Sequence, residues 1–224
     1  MRYSSRLMEQ IVSGVGVLDK SMALLQVASA APVSLGELVS ATGMSRATTH
    51  RLAVALEQHG LLRRLDDGRF ALGLHLVALG RGATEQFPLA AVARPAMAHL
   101  REATGESVQL YVRDGDARVC VAALESPHGL RTIVPVGAAL PMTVGSAGRA
   151  LLGEAGRGGW VATVGEREPG VASVSAPVIG SERTPVAAIS VSGPIDRLGR
   201  QPGRRHGAAV VAAAEEIARM ASGV

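Results

Sequence analysis

The chain has one cysteine, Cys120, which excludes an internal disulfide framework and any multi-cysteine zinc site; the thiol itself reads as a buried strand residue. Aromatic residues make up only 2% of the sequence, which leaves no stacking platform for single-stranded nucleic acid. Hydrophobic residues amount to 47%, yet no apolar run approaches the roughly 18 residues a membrane span needs. The opening MRYSSRLMEQ lacks the apolar core of a signal peptide, so a cytoplasmic location is expected. Signatures of catalysis are also missing. There is no GxSxG elbow, no HExxH pair and no P-loop, and Gly14-Val15-Gly16 lacks the third glycine and preceding strand of a dinucleotide site. The six histidines, His50, His59, His75, His99, His128 and His206, are scattered without metal-ligand spacing. These gaps argue against an enzyme and lead us to expect no cofactor and no metal.

Lysine is nearly absent too. Lys20 is the only one, so the formal charge of +4 and the pI near 10.2 rest on arginine. The guanidinium fork suits phosphates and guanine edges, but a bias toward Ala, Gly, Val and Arg also fits a GC-rich genome. An excess of +4 over 224 residues is mild, so the positions of the arginines carry the argument and their number does not.

What is present begins with three helices and a hairpin in residues 14–73. Leu18, Met22, Leu25 and Val27 give helical apolar spacing, predicting a first helix over Val17–Ala30 that ends before Pro32. Ser34-Leu35-Gly36-Glu37 is a capping-box pattern, predicting a second helix over Leu35–Thr42 with Leu35, Leu38 and Val39 inward. Gly43 supplies the left-handed turn that ends it. Ser45 caps a third helix running to His59, with Thr49, Leu52 and Leu56 inward, and Gly60 stops it. LLRRLDDGRFAL then places two apolar segments around Asp67-Gly68, a two-residue hairpin signal. Three helices, a glycine turn and a hairpin make a winged helix-turn-helix. The outer side of its third helix carries the groove-facing candidates Ser45, Arg46, Ala47, His50 and Arg51, and the wing carries Arg63, Arg64 and Arg69.

Residues 74–87 read as a linker helix with Leu76 and Leu79 on one side, and residues 88–224 as a second domain. Its expected elements are a helix over Leu89–Thr104 and a hairpin of Glu106–Arg113 with Ala117–Leu124 around Asp114-Gly115-Asp116. Strands at Val171–Val178 and Val186–Ser192 and a closing helix at Pro202–Ala221 complete it. Strands grouped between terminal helices argue for an α+β domain. Ser190 and Ser192 are two apart and project from one sheet face, with Ile189 and Val191 on the other. Gly145–Gly148 leads into a helix expected over Arg149–Leu152, whose free amides suit a carboxylate.

The stretches GMSRATTHRLAVALEQHGLLRRLDDGRFALG, LPMTVGSAGRALL and AAISVSGPIDRL, in that order, resemble the IclR family of bacterial transcription regulators over nearly the whole chain. That resemblance implies a winged helix-turn-helix, a linker helix, a GAF-like effector-binding domain with an antiparallel sheet, and homodimers that pair into tetramers. It places an effector pocket at Leu140, Ser146, Ala147, Val171, Ser173, Ser190 and Ser192, with walls expected to be mostly apolar. Members that bind small oxo-acids carry an aspartate and a cysteine where this chain has Thr163 and Ser173, which implies a different ligand. Glu166 lies in the same loop. Between Leu152 and Trp160 the family has a longer helix; here only GEAGRGG intervenes, predicting residues missing somewhere from Gly153 to Arg157.

The resulting expectation is a sequence-specific regulator of double-stranded DNA, controlled by an amino acid or small organic acid, with no membrane partner. A small-molecule-binding α/β enzyme domain and a ligand-independent architectural DNA-binding protein are the alternatives. A filled interior in the second domain would favour the last.

Overall fold

The computed structural model describes residues 14–221; the opening MRYSSRLMEQ segment lies outside the described residues. The chain divides into two compact units between Gln86 and Phe87.

In the first unit, α1 (Gly16–Ala30), α2 (Leu35–Thr42) and α3 (Arg46–Gln58) precede the strands β1 (Leu62–Arg64) and β2 (Phe70–Leu72), and α4 (His75–Glu85) follows. The capping box forms as the sequence predicts. The Ser34 side chain accepts from the Glu37 N–H, and the Ser34 N–H donates to the Glu37 carboxylate at 2.7 Å. Gly43 closes α2 at φ 68°, a conformation costly for any residue with a Cβ. Leu24, Ala28, Leu38, Leu52, Leu56, Leu62 and Phe70 form one core. Phe70 also exchanges two backbone hydrogen bonds with Val33, tying the wing to the turn before α2.

Three details differ from the sequence reading. Leu24 and Ala28 face inward on α1, whereas Leu18 and Met22 are exposed. Residues 22–28 are apolar around most of the helix, so spacing alone could not choose the face that α2 and α3 cover. The wing loop is longer than two residues. Gly68 N–H donates to the Leu65 carbonyl and Leu65 N–H to the Arg69 carbonyl, a turn of residues 65–68 that ends on the left-handed Gly68 at φ 81°. On α4, Leu79 is exposed and Leu76 half-buried.

The second unit holds α5 (Pro88–Val92), α6 (Arg94–Thr104), β3 (Ser107–Asp114), β4 (Ala117–Leu124), β5 (Ala139–Pro141), α7 (Ser146–Leu151), β6 (Val161–Val164), β7 (Val171–Ile179), β8 (Pro185–Pro194), α8 (Ile195–Leu198) and α9 (Pro202–Ala221). The single helix expected over Leu89–Thr104 is broken at Ala93, because Pro95 has no N–H and crowds the preceding turn. The helix after Gly145 starts at Ser146, three residues earlier than expected. Residues 153–159 form a closed turn. Glu154 N–H donates to Arg149 O, Gly153 N–H to Ala150 O and Gly159 N–H to Gly156 O, and the full sequence holds no further residues there. The expected missing residues are therefore a true shortening.

The six strands form one antiparallel sheet in the order β5-β4-β3-β8-β7-β6. One face packs Val108, Leu110, Val174, Val178, Ile189 and Val191 against Met97 and Leu100 of α6 and Val210 and Ile217 of α9. At the end of β3, buried Glu106 receives a two-pronged bond from Arg197 at 2.6 and 2.9 Å, pinning α8 to the sheet. Cys120 is fully buried in β4, and burial pushes its thiol up to about 11, so it stays protonated and unreactive near neutral pH.

The only tryptophan, Trp160, lies against a notch in α9 made by Gly203 and Gly207, four apart on one helix face. A Cβ at either position would overlap the indole. Alanine adds helix propensity of up to about 1 kcal/mol, but displacing a packed ring costs about 1–3 kcal/mol. The Gly203→Ala, Gly207→Ala variant is expected to unfold at lower denaturant with red-shifted tryptophan emission; an unchanged spectrum and midpoint would contradict the notch.

Candidate functional site

The face of the sheet opposite α6 and α9 carries hydroxyls. Register pairs Ser173 with Ser192 and Ser175 with Ser190 across β7 and β8, and Thr163 with Ser173 across β6 and β7. Alternation then puts all five side chains on one face. Helix α7 packs on this face and brings Ser146, whose Oγ shares hydrogen bonds of 2.7 Å with both Ser173 and Ser175. Ser175 donates to Ser190 at 2.9 Å, Thr163 shares a 3.0 Å bond with Ser173, and Ser192 donates to Gln109 Oε1 at 2.9 Å.

Beside this chain of hydroxyls is a small cavity of about 20 Å³. Six of the seven residues expected at the pocket line it: Ser146, Ala147, Val171, Ser173, Ser190 and Ser192. Leu140 does not. It sits half-buried on β5 and packs with Tyr111, Cys120 and Met142, while its cross-strand partner Arg118 reaches the wall. The remaining lining is Tyr111, Arg118, Gly145, Thr163 and Arg167. A mostly apolar wall was expected; the lining is about equally polar and apolar, with hydroxyls and two guanidinium groups among it.

A bulge explains how Arg118 arrives there. Leu110 pairs with Ala122, but the next residue, Tyr111, pairs with Cys120, so β4 spends one extra residue, Val121. With regular pairing Ala122, Cys120 and Arg118 would share the α6 side. The bulge turns Cys120 and Arg118 over to the serine side. Arg118 is 2% exposed, stacks over the Tyr111 ring at 5.5 Å and donates from Nη1 to the Pro141 carbonyl. Its Nε has no hydrogen-bond partner, and among the described residues no carboxylate lies within ion-pairing distance. Burial pulls its pKa down, with Tyr111 opposing.

Glu166 is not among the residues that line the cavity, although its charge acts on Arg118. Its Oε1 accepts from the Gly145 N–H at 3.1 Å and its Oε2 lies 4.0 Å from Arg149. One amide of the loop before α7 is thus already satisfied by a carboxylate, and α7 has only six residues. The hydroxyls and Arg118, more than the helix start, give this site its polarity.

In the first unit, Thr49, Leu52, Ala53 and Leu56 bury one side of α3, leaving Arg46, Ala47, His50 and Arg51 exposed on the other. Ser45 caps the helix by accepting from the Thr48 N–H at 3.2 Å, and its hydroxyl donates to Thr48 Oγ1 at 2.9 Å. The wing arginines differ among themselves. Arg64 packs over Phe70 at 4.4 Å and lies 3.4 Å from Glu57, and Arg69 is clasped by Asp67 at 2.6 Å. Hydrogen bonds from the Arg69 backbone and side chain hold the Asp67 carboxyl below its ordinary range. Arg63 is exposed and has no ion pair among the described residues.

A family model for the IclR helix-turn-helix domain matches residues 17–66, and one for the C-terminal part of the bacterial transcriptional regulator IclR matches residues 81–157 and 152–219. The chain belongs to the IclR family. The two C-terminal stretches meet in the shortened 153–159 loop, where the family pattern is interrupted. Relatives include the HTH-type transcriptional regulator KipR of Bacillus subtilis, 34% identical over 59% of this chain and 54% of that protein. The transcriptional repressor IclR of Escherichia coli is 27% identical over 83% of this chain and 81% of its own length. Among solved structures, an IclR homologue from Microbacterium hydrocarbonoxydans in complex with 4-hydroxybenzoate superposes with a TM-score of 0.78, covering 93% of this chain and 100% of that one. At 20% identity, the likeness shows the shared fold alone. The matched families and relatives are transcriptional regulators and not enzymes.

The exposed face of α3 generates a test. Replacing Arg46 and Arg51 together with alanine is expected to cost about 1–3 kcal/mol per lost base contact on the correct operator and to relax sequence preference. On the wing, Arg63→Ala should flatten the salt dependence of binding more than Arg64→Ala, since Arg64 is already engaged by Glu57. Fluorescence-anisotropy titrations at several salt concentrations measure both; unchanged operator affinity in the α3 double variant would refute the assigned face.

Proposed function

We propose that this IclR-family regulator reads a double-stranded operator with α3 and the wing, and that occupancy of the hydroxyl-lined cavity by a small-molecule effector changes its affinity for that operator. The observation that carries this is the convergence of buried Ser146, Ser175 and Ser190 and half-buried Ser173 into one hydrogen-bonded chain beside a cavity. Buried hydroxyls grouped at a cavity, in place of a packed apolar interior, suit a site that exchanges hydrogen bonds with a polar guest. They also weigh against a ligand-independent architectural role.

The effector belongs to amino-acid or small organic-acid metabolism, a reading supported by GVGVLDK and GEREPGVASVSAPV, whose wording is similar to the actinomycete regulator NdgR. A ligand changes DNA binding only by its differential affinity for the DNA-competent arrangement. The protein works as a homodimer that pairs into a tetramer, each dimer reading half-sites one helical turn or a multiple apart. Apolar side chains of α4 exposed in the single chain, Val77 and Leu79, support a covered helix in the assembly. The working place is the cytoplasm; no helix of the described residues is long and apolar enough to cross a membrane.

Replacing Ser190 and Ser192 with alanine together tests the seat. Operator affinity without effector is expected to remain that of the parent, while the effector-induced change in affinity falls to a small fraction of the parent's. A double variant that responds as the parent does would place the effector elsewhere.

A further inference from the structure

The cavity as effector seat admits, on chemistry alone, either an amino acid or an organic acid without an amine. Four observations bear on the choice. First, Arg118 is buried, faces the cavity, and has an Nε with no partner and no carboxylate within ion-pairing distance among the described residues. A buried unpaired guanidinium is expensive, and an anion that enters and meets it removes that cost. Second, Arg167 lines the same cavity, so both charged groups at the wall are cations. Third, no Asp or Glu lines the cavity. The loop carboxylate Glu166 accepts from the Gly145 N–H and makes no ion pair with Arg118, on which its charge acts from further off. Fourth, the cavity is about 20 Å³, room for about one or two waters, so an organic guest enters only as side chains move aside, which favours the smallest.

We infer that Arg118 anchors the carboxylate of a small aliphatic acid, and that the cavity rejects the corresponding amino acid. This rests on the cavity being the effector seat. An α-ammonium group would enter a space walled by two guanidinium groups with no carboxylate to meet it, so desolvation of that charge goes unrepaid. A hydroxyl or keto oxygen at the same carbon instead finds hydroxyl partners in Ser173, Ser190 and Thr163, which can act as donor or acceptor. Arg118 is thus the residue that sets selectivity, and the β4 bulge is the device that delivers it.

The test uses the full chain and titration calorimetry with pyruvate, lactate and succinate, each against its amino counterpart, alanine or aspartate, and with inorganic phosphate as a non-carboxylate anion. At least one acid is expected to bind about tenfold or more tightly than its amino counterpart and than phosphate. Arg118→Met is expected to lose that affinity by about tenfold or more, the loss of one charge-assisted bond, while its ligand-free melting temperature equals or exceeds the parent's. Arg118→Lys keeps the charge without the fork and should bind with intermediate affinity. A merely structural arginine would instead lower the melting temperature of Arg118→Met and leave the acid's affinity intact. The inference is overturned if alanine or aspartate binds as tightly as the acids, if phosphate does, if none of the acids binds at millimolar concentration, or if Arg118→Met binds them like the parent. Should the amino acids win while the Ser190→Ala, Ser192→Ala variant loses their binding, the seat stands and only the selectivity falls. Acid binding that depends on neither Arg118 nor the serines would remove both.

Discussion

Ser173 faces Ser192 and Ser175 faces Ser190 because β7 and β8 pair in one particular register, and most of the second unit depends on that pairing. The same alternation that gathers the serines sends Ala172, Val174, Ala176, Ile189 and Val191 into the core beneath α6 and α9. A slip of one residue would carry hydroxyls into that core and expose the branched side chains. Burial of the apolar set therefore holds the polar set in place. At about 25 cal/mol per Å² of apolar surface, a few large side chains outweigh the cost of ordering several hydroxyls on the opposite face. Packing on one side of the sheet builds the site on the other.

The polar face works against the stability that its counterpart provides. Arg118 is buried with Nε unsatisfied, and five hydroxyls crowd a space that apolar side chains would fill more favourably. Natural folds keep such groups where a partner molecule supplies the missing interactions. The β4 bulge belongs to the same arrangement, since it leaves a strand residue without regular pairing and in return turns Arg118 toward the serines. On the proposed function, the cavity is coupled to DNA by linked equilibria: a guest that satisfies Arg118 favours the arrangement in which it is satisfied.

The helix-turn-helix was legible almost entirely, because its signals are local. Caps at Ser34 and Ser45, the left-handed Gly43 and the inward Thr49, Leu52 and Leu56 each depend on residues a few positions apart. The phase of α1 was not, since Leu18 and Met22 are as apolar as Leu24 and only packing distinguishes them. Ser190 and Ser192 were found from the family resemblance with a two-residue alternation in support, and Ser173 from its resemblance to a family position. Arg118, Tyr111 and Arg167 were missed. Arg118 reaches the cavity through a bulge that leaves no mark in the sequence, and Arg167 lies in a loop whose direction no periodicity governs. The same bulge brings one charge to a wall expected to be mostly apolar because small-molecule sites usually are. Pro95 did carry a readable signal for the break between α5 and α6, a proline one turn inside a helical pattern.

Hydrogen–deuterium exchange on the full chain, with and without an acid that binds it, examines the central claim directly, because it reports every backbone segment at once. The account predicts that added protection concentrates at residues 145–148 and in the facing stretches 173–175 and 190–192. Protection confined to the apolar groove of Phe87, Leu89, Val92 and Ala221, with the serine strands unchanged, would contradict it.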